Sequence, residues 1–373
     1  MPSAEQSNRA SLLPSERAVL DAVRRLEPIP RADITSHVEI TQQSVHRITE
    51  KLIQAGLIKA GAPLRRGRGQ PSAVLELVPR AAVAVGVSIN TDSMVLTLID
   101  LGGRTIEETV LRQAPVNRRA SLLVLRDTFE RMLRRNEIKQ AQLIGAGVAM
   151  TGFFVPGGGV NAPEPLRDWS LIDLQPELTE CFRLPVWLEN GATTGAIGER
   201  LRGAGQWANT FVYFSFNYGF GMGLVLDRRP FFGSHRNAGE VLLFPKGEVE
   251  NRPALSSLIE ELRRNGIAID SVADLKDRFD PAWPGVEAWI GRTLPQLDRA
   301  VNAISGLIDP DAIVFGGQIP PALAALLIER VTIWGPHRYG VGPELPRLVL
   351  SEANGDPAAT GAAMLPLYSL YLP

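Results

Sequence analysis

Apolar residues recur at helical spacing near the start of the chain. Val19, Leu20, Val23 and Leu26 mark one face of a helix that Ser15 should cap, with Glu16 in its first turn, and that Pro28 and Pro30 end. Ile34 and Val38 predict a short second helix. Thr41 caps a third, whose apolar positions are Val45, Ile48, Leu52 and Ile53, and Gly56 stops it. Its other face carries Gln42, Gln43, His46, Arg47, Glu50 and Gln54. Residues 57–60 and 73–78 alternate as two strands of a hairpin. Three short helices followed by a hairpin predict a winged helix-turn-helix over 1–79.

The pattern then changes to strands and helices in a repeating order. Strands are expected at 81–89, 94–100, 104–111, 143–150 and 186–188, and helices at 121–136, 175–182 and 192–201. The order recurs with strands at 210–217, 221–227, 230–232, 312–315 and 347–351. Its helices lie within 284–306 and at 321–330 and 357–368. Each half reads β-β-β-α-β-α-β-α, the second carrying an insertion at about 233–283. An internal duplication of this kind predicts an α/β body of two lobes with a cleft between them. The joint falls at Pro79-Arg80, with one lobe over 80–190, the other over 191–355, and the final helix (356–373) packing back on the first.

Charge sharpens this division. The chain is formally −1, yet residues 1–80 hold 12 Lys/Arg against 8 Asp/Glu, a net of +4, leaving −5 for the rest. No acid occurs from Lys51 through Leu75, whereas Arg65, Arg66 and Arg68 fall in the loop between the hairpin strands. The first residues of such a third helix are those that reach base edges, and Gln and Arg pair in bidentate fashion with adenine and guanine. A glycine-rich arginine loop suits phosphates or a narrow minor groove. Gln42, Gln43, Ser44, His46 and Arg47 are therefore the candidate base contacts, and Arg65, Arg66 and Arg68 the backbone contacts. The partner is double-stranded operator DNA, bound by a homodimer or higher homo-oligomer. A single cysteine, Cys181, excludes an internal disulfide. No apolar run approaches the roughly 18 residues that span a membrane, so a cytoplasmic protein without a membrane partner is expected.

The chemistry of the body centres on 185–200, where Glu189-Asn190 sits at the turn from strand to helix. Ligands in open α/β sheets bind beyond the carboxyl ends of strands, but the residue after Asn190 is Gly191. Further motifs are Gly67-Arg68-Gly69-Gln70-Pro71, Gly219-Phe220-Gly221-Met222-Gly223, Asn237-Ala238-Gly239-Glu240 and Ile313-Val314-Phe315-Gly316-Gly317. Ala196-Ile197-Gly198-Glu199 and Gly355-Asp356 with Gly361-Ala362-Ala363 complete the set. In order and spacing these resemble the ROK family (repressor, open reading frame, kinase). The resemblance implies a duplicated actin-like, sugar-kinase-like (RNase H-like) body and, with the winged helix-turn-helix, a transcriptional regulator responding to a sugar or sugar derivative.

The departures from that family are informative. Its kinases carry an Asp-x-Gly-Gly-Thr phosphate loop where this chain has Ser88-Ile89-Asn90-Thr91-Asp92, and a catalytic Asp where it has Gly191. Phosphoryl transfer to a hydroxyl needs a carboxylate to take the proton. The family's Glu-x-Gly-His becomes Glu240-Val241-Leu242-Leu243, and Ala254 stands for the last cysteine of its zinc loop. Catalysis, zinc and other cofactors are thus not expected. Asn190 and Glu240 are the expected effector contacts, with Glu164 near a third position that the family usually fills with Asn. The glycines at 219, 221 and 223 suit either a phosphate cradle or a tight turn. The leading expectation is a repressor with a catalytically dead cleft holding a small polyhydroxylated effector. An active sugar kinase with a fused DNA-binding domain, or a body that only dimerises or docks proteins, are the alternatives.

Overall fold

The computed structural model describes residues 12–62, 74–240, 251–335 and 339–373. The N-terminal module opens with α1 (Pro14–Leu26), which starts earlier than Ser15 would allow as a cap. Leu13 flanks the helix in extended conformation, and the Glu16 carboxylate accepts its N–H at 3.0 Å. Pro14 suits the first turn because its fixed φ is helical and no N–H is lost. Strand β1 (Ile29–Pro30) leads into a 3-10 turn at Arg31–Ser36 rather than an α-helix, with Ile34 its buried anchor. Helix α2 (Gln42–Gln54) is capped by Thr41, whose Oγ1 accepts the Ser44 N–H at 3.3 Å. Gly56 ends it at φ +68°, which a side chain rarely adopts. Strands β2 (Ile58–Ala60) and β3 (Val74–Leu77) pair antiparallel, and β1 adds on the far side of β3. Arg65, Arg66 and Arg68 lie outside the described residues.

The first half of the body contains β4 (Val83–Ile89), β5 (Met94–Asp100), β6 (Thr105–Leu111), α3 (Arg118–Arg135), β7 (Leu143–Met150), β8 (Phe153–Phe154), β9 (Val160–Asn161), α4 (Gln175–Phe182), β10 (Val186–Asn190) and α5 (Gly191–Arg202). The second contains β11 (Phe211–Phe216), β12 (Phe220–Leu226), β13 (Arg229–Phe231), α6 (Leu255–Arg264), α7 (Val272–Arg278), α8 (Val286–Ile308), β14 (Ala312–Gly317), α9 (Pro321–Arg330), β15 (Arg347–Leu350) and α10 (Pro357–Leu370). The sheets have strand orders β6-β5-β4-β7-β10 and β13-β12-β11-β14-β15. In each, the first three strands of the half run antiparallel and the last two join in parallel. The duplicated two-lobed fold is therefore present in topology as well as in element order. Helices α6 and α7 form within the inserted stretch, and the hairpin β8–β9 is too short to leave a periodic signature.

The central strands β4 and β7 are buried throughout, as expected of strands covered on both faces. One cover of this sheet is the last helix of the chain. A Cβ added at Gly147 would lie 1.8 Å from the Ala362 carbonyl oxygen, so α10 rests on the sheet at backbone contact. The last helix of the first half, α5, packs instead on β11 and β12. The two helices meet at Gly361, where an added Cβ would lie 1.8 Å from the Thr194 carbonyl. Each half thus lends its closing helix to the other lobe.

The N-terminal module has no separately closed core. Leu20, Val23 and Leu75 belong to one buried apolar cluster with Met364, Leu367 and Leu372. Arg17 of α1 donates to the Tyr368 carbonyl at 3.1 Å and the Ser369 carbonyl at 2.7 Å, satisfying acceptors that the end of α10 leaves open.

Candidate functional site

Helix α2 presents an exposed polar face. Gln42, Gln43, His46 and Arg47 are exposed, while Val45, Ile48 and Leu52 on the other side are buried. Ser44 is half-buried and tied to the cap, its Oγ accepting from Thr41 Oγ1 at 3.1 Å. Arg31, which the sequence pattern did not single out, joins this face. It donates to Glu50 at 2.7 Å and meets His46 Nδ1 at 2.8 Å. A guanidinium only donates, so Nδ1 accepts here and the ring proton sits on Nε2, free to point outward. Lys51 is held at 2.5 Å by Glu16. Burial pushes the Glu16 carboxyl up, but Lys51 and the Leu13 amide outweigh it and hold the carboxyl below its usual range.

The second site is the cleft between the lobes. The carboxyl ends of β4, β7, β10 and β11 all open into it, which is where α/β sheets place ligands. A cavity of about 330 Å³ is lined by Asn161, Asn190, Gly219, Gly221, Glu240 and Arg252, among others. A neighbouring cavity of about 280 Å³ is lined by Glu108, Lys276, Gln318 and Asp356. Ser88, Asn90, Gly191, Ser215 and Asn217 line both. Asn90 Nδ2 donates to Ser88 Oγ at 3.1 Å, and Asn217 Nδ2 to Ser215 Oγ at 2.8 Å. The same Ser-x-Asn device thus leaves the first strand of each half and faces its counterpart across the cleft. Sequence reasoning missed this pair. Aligning the two halves on their first strands would have found it.

Asn190 caps α5. Its Oδ1 accepts the Ala192 and Thr193 amides at 2.7 and 3.3 Å, and its Nδ2 donates to the Gly152 carbonyl at 2.5 Å. The amide therefore shapes the cleft wall, and a ligand there meets a side chain already engaged on both ends. Beneath it Glu189 is 3% exposed, bonded by the Asn190 amide and paired with Arg236 at 3.0 Å. Burial raises its carboxyl above the ordinary range, with Arg236 opposing. At Gly191 an added Cβ would find nothing nearer than the Met150 carbonyl at 3.7 Å. The place beside Asn190 is open.

Glu240 lines the same cavity as Asn190. The residue keeps an open face toward solvent, yet the surrounding walls desolvate its carboxyl and raise it above the ordinary range, with Arg252 lowering it. Glu164 is elsewhere. Pro163 begins a 3-10 turn that buries Leu166 and Trp169 and leaves the Glu164 side chain 79% exposed, paired with Arg167. Glu164 is not among the residues lining this cavity, which Asn161 and Pro163 reach instead. Among the glycines, 219 and 221 line the cleft, whereas Gly223 packs under α5, its added Cβ 2.3 Å from the Ala192 carbonyl. Gly316 and Gly317 pack against Tyr213, whose hydroxyl accepts the Gly317 amide at 2.6 Å.

The lobes are bridged on both sides of the cleft. Asn237 exchanges two hydrogen bonds with the Phe154 backbone, at 2.8 and 2.9 Å. Opposite, Arg112 pairs with Asp277 at 2.6 Å and Asp92 accepts the Ala273 amide at 2.8 Å. Among the described residues no group of three or more His, Cys, Asp or Glu could hold a metal ion. Ala254 flanks α6, and Leu243 and His337 lie outside the described residues. No described helix is long and apolar enough to cross a membrane.

Residues 84–242 match the model of the ROK family. A xylose repressor of Caldicellulosiruptor bescii is 25% identical over 225 residues, covering 60% of this chain and 56% of that protein. The DNA-binding transcriptional dual regulator NagC of Escherichia coli is 23% identical over 347 residues, covering 83% and 82%. A ROK family transcriptional regulator, a homolog of the E. coli MLC protein, superimposes with TM-score 0.72 at 20% identity, covering 95% and 96%. The ROK hexokinase of Thermus thermophilus superimposes with TM-score 0.56 at 20% identity, covering 76% of this chain and 97% of that enzyme. The structural likenesses concern the fold, which regulators and kinases share.

Proposed function

We propose that this chain, whose residues 84–242 match the ROK family model, is a DNA-binding transcriptional regulator of that family, a repressor in its default action, whose interlobe cleft receives a sugar or sugar derivative without phosphorylating it. The observation that carries this reading is Gly191. It stands at the wall between the two cavities, beside the helix-capping Asn190, with room for a side chain and none present. A hydroxyl at that place has no carboxylate to take its proton from the position the family's kinases use. Ser88 and Asn90 fill the first strand's exit with polar side chains instead of the glycines that let backbone amides approach phosphate.

What the cleft does offer suits hydroxyls. Ser88, Ser215 and Asn217 provide groups that donate and accept, and Glu240 provides an acceptor. The exposed face of α2 supplies base contacts through Gln42, Gln43, His46 and Arg47, with Arg31 fixing the imidazole. A two-fold homodimer then reads a pseudo-palindromic operator in the cytoplasm, each module reading one half-site.

Two measurements on the full chain test this together. A coupled ADP-release assay across common hexoses and N-acylated hexosamines is expected to stay at the no-enzyme level. Turnover at kinase rates, roughly 1–100 per second, would make the protein an enzyme. Operator binding, measured with and without each sugar, is expected to change for at least one of them. A response to none would leave the body as a dimerisation or docking module.

A further inference from the structure

Away from the cleft, the N-terminal module and both lobes meet around a cavity of about 940 Å³. Seven arginines line it against two aspartates, Asp21 and Asp227. The arginines arrive from four separate elements. Arg24 and Arg25 come from α1, Arg104 from the turn before β6, Arg200 and Arg202 from the end of α5, and Arg228 and Arg229 from the β12–β13 turn.

Their charge is only partly matched by acids, Arg104 pairing with Glu27 at 3.5 Å. Arg24 and Arg25 share one partner, Asp21, at 2.7 and 2.9 Å. Arg202 donates to the Gly103 carbonyl at 2.8 Å, and Arg228 to Asn209 Oδ1 at 3.0 Å. Arg200 lies 5.3 Å from the centre of the Tyr368 ring and bonds its hydroxyl. Neutral groups thus orient Arg200, Arg202 and Arg228 without neutralising them, and Arg229 has no acidic partner among the described residues. Guanidiniums gathered from four elements repel one another unless an anion joins them. Their planar forks match phosphate oxygens in bidentate fashion. The space is concave and within the size range of small-molecule sites, about 300–1,000 Å³, which favours a compact ligand over a convex duplex.

We propose that this cavity is a binding site for a small phosphorylated metabolite, separate from the interlobe cleft, and that its occupancy fastens the DNA-binding module to both lobes. The fastening follows from where the arginines sit. Arg24 belongs to the helix whose Arg17 holds the end of α10, and Arg200 touches Tyr368 of that same end. A ligand held between them stiffens the joint.

The test is isothermal titration of the full chain at fixed ionic strength with inorganic pyrophosphate and, separately, glucose 6-phosphate, using glucose as the uncharged control. Saturable binding of at least one phosphate probe is expected, and none of glucose at this site. Preference for glucose 6-phosphate assigns the site to a phosphorylated sugar, and preference for pyrophosphate to a bare phosphoanhydride. The exposed pair Arg228→Glu with Arg229→Glu is expected to weaken binding at least about tenfold, and Arg25→Gln by a smaller factor in the same direction. Arg119→Glu with Lys139→Glu, exposed and outside the cavity, removes equal charge and should leave binding unchanged. Equal weakening by the control pair, unaltered binding in both cavity variants, or no saturable binding overturns the proposal. So does a loss of affinity for a mixed-sequence DNA duplex in the cavity variants beyond that of the control, since the arginines would then serve the DNA backbone.

Discussion

Two glycines separate the roles that this residue plays here. Gly191 is glycine where a side chain would fit, with 3.7 Å to its nearest neighbour, and Gly361 is glycine where none fits, at 1.8 Å. Gly191→Ala is expected to raise stability by about 0.5–1 kcal/mol, because it sheds unfolded-state entropy at a helical position. Gly361→Ala should cost upwards of about 1–3 kcal/mol by forcing α5 and α10 apart. Thermal melts of the two variants check both, and a Gly361→Ala protein as stable as the parent would disprove the backbone contact. Glu240 carries a pH signature. Its carboxyl is raised, so ionisation is less favourable folded than unfolded, and the penalty is present above the raised pKa and vanishes as pH falls to the ordinary carboxylate value. Glu240→Gln is therefore expected to melt higher than wild type at pH 7, the gap closing on acidification. The same variant should lose the effector response while binding DNA normally.

At the scale of elements, Thr41 fixes where α2 begins, and with it which side chains would lead if α2 is the reading head proposed above. Gln42→Ala and Gln43→Ala should each cost about 1–3 kcal/mol of operator binding and relax preference at one base pair. Arg68→Ala in the wing should weaken all sequences alike and lower the salt slope by about one unit. Competition binding at several salt concentrations distinguishes the two patterns, and a wing variant with the parental slope would remove that arginine from the interface. Helix α7 shows how an insertion can be put to work. It brings Asp277 to Arg112 and the Ala273 amide to Asp92, bridging the lobes beside the smaller cavity.

At the scale of the molecule, α10 is the element that touches everything. Its first residues line the cleft, its middle lies on β4 and β7, and its end is gripped by Arg17 of the DNA-binding module. On the proposed function, that helix is the path by which lobe movement around a ligand would reach the module. Any coupling between effector and DNA would then be reciprocal, each altering the other's affinity by one factor. Arg17→Ala is expected to leave effector affinity of the isolated protein unchanged and to bring that factor toward one. Effector titrations with and without operator DNA measure it, and a parental factor in the variant would place the coupling elsewhere.

The sequence by itself determined the duplicated order of strands and helices, the winged module with its polar helix face, and the missing carboxylate at Gly191. These depend on local periodicity, on capping by residues such as Thr41, and on residue identity at a recognisable turn. It did not disclose that Glu164 is carried to the surface, because a 3-10 turn is set by what Leu166 and Trp169 can bury. Nor did it disclose the Ser88–Asn90 and Ser215–Asn217 pairs, which gain meaning only when two strand ends 127 residues apart (215 − 88) face one cleft. The shared core of module and α10, and the arginines gathered from four elements, were decided by tertiary structure alone. Contacts between distant segments leave no period in the chain, and each arginine read singly is an ordinary solvated side chain.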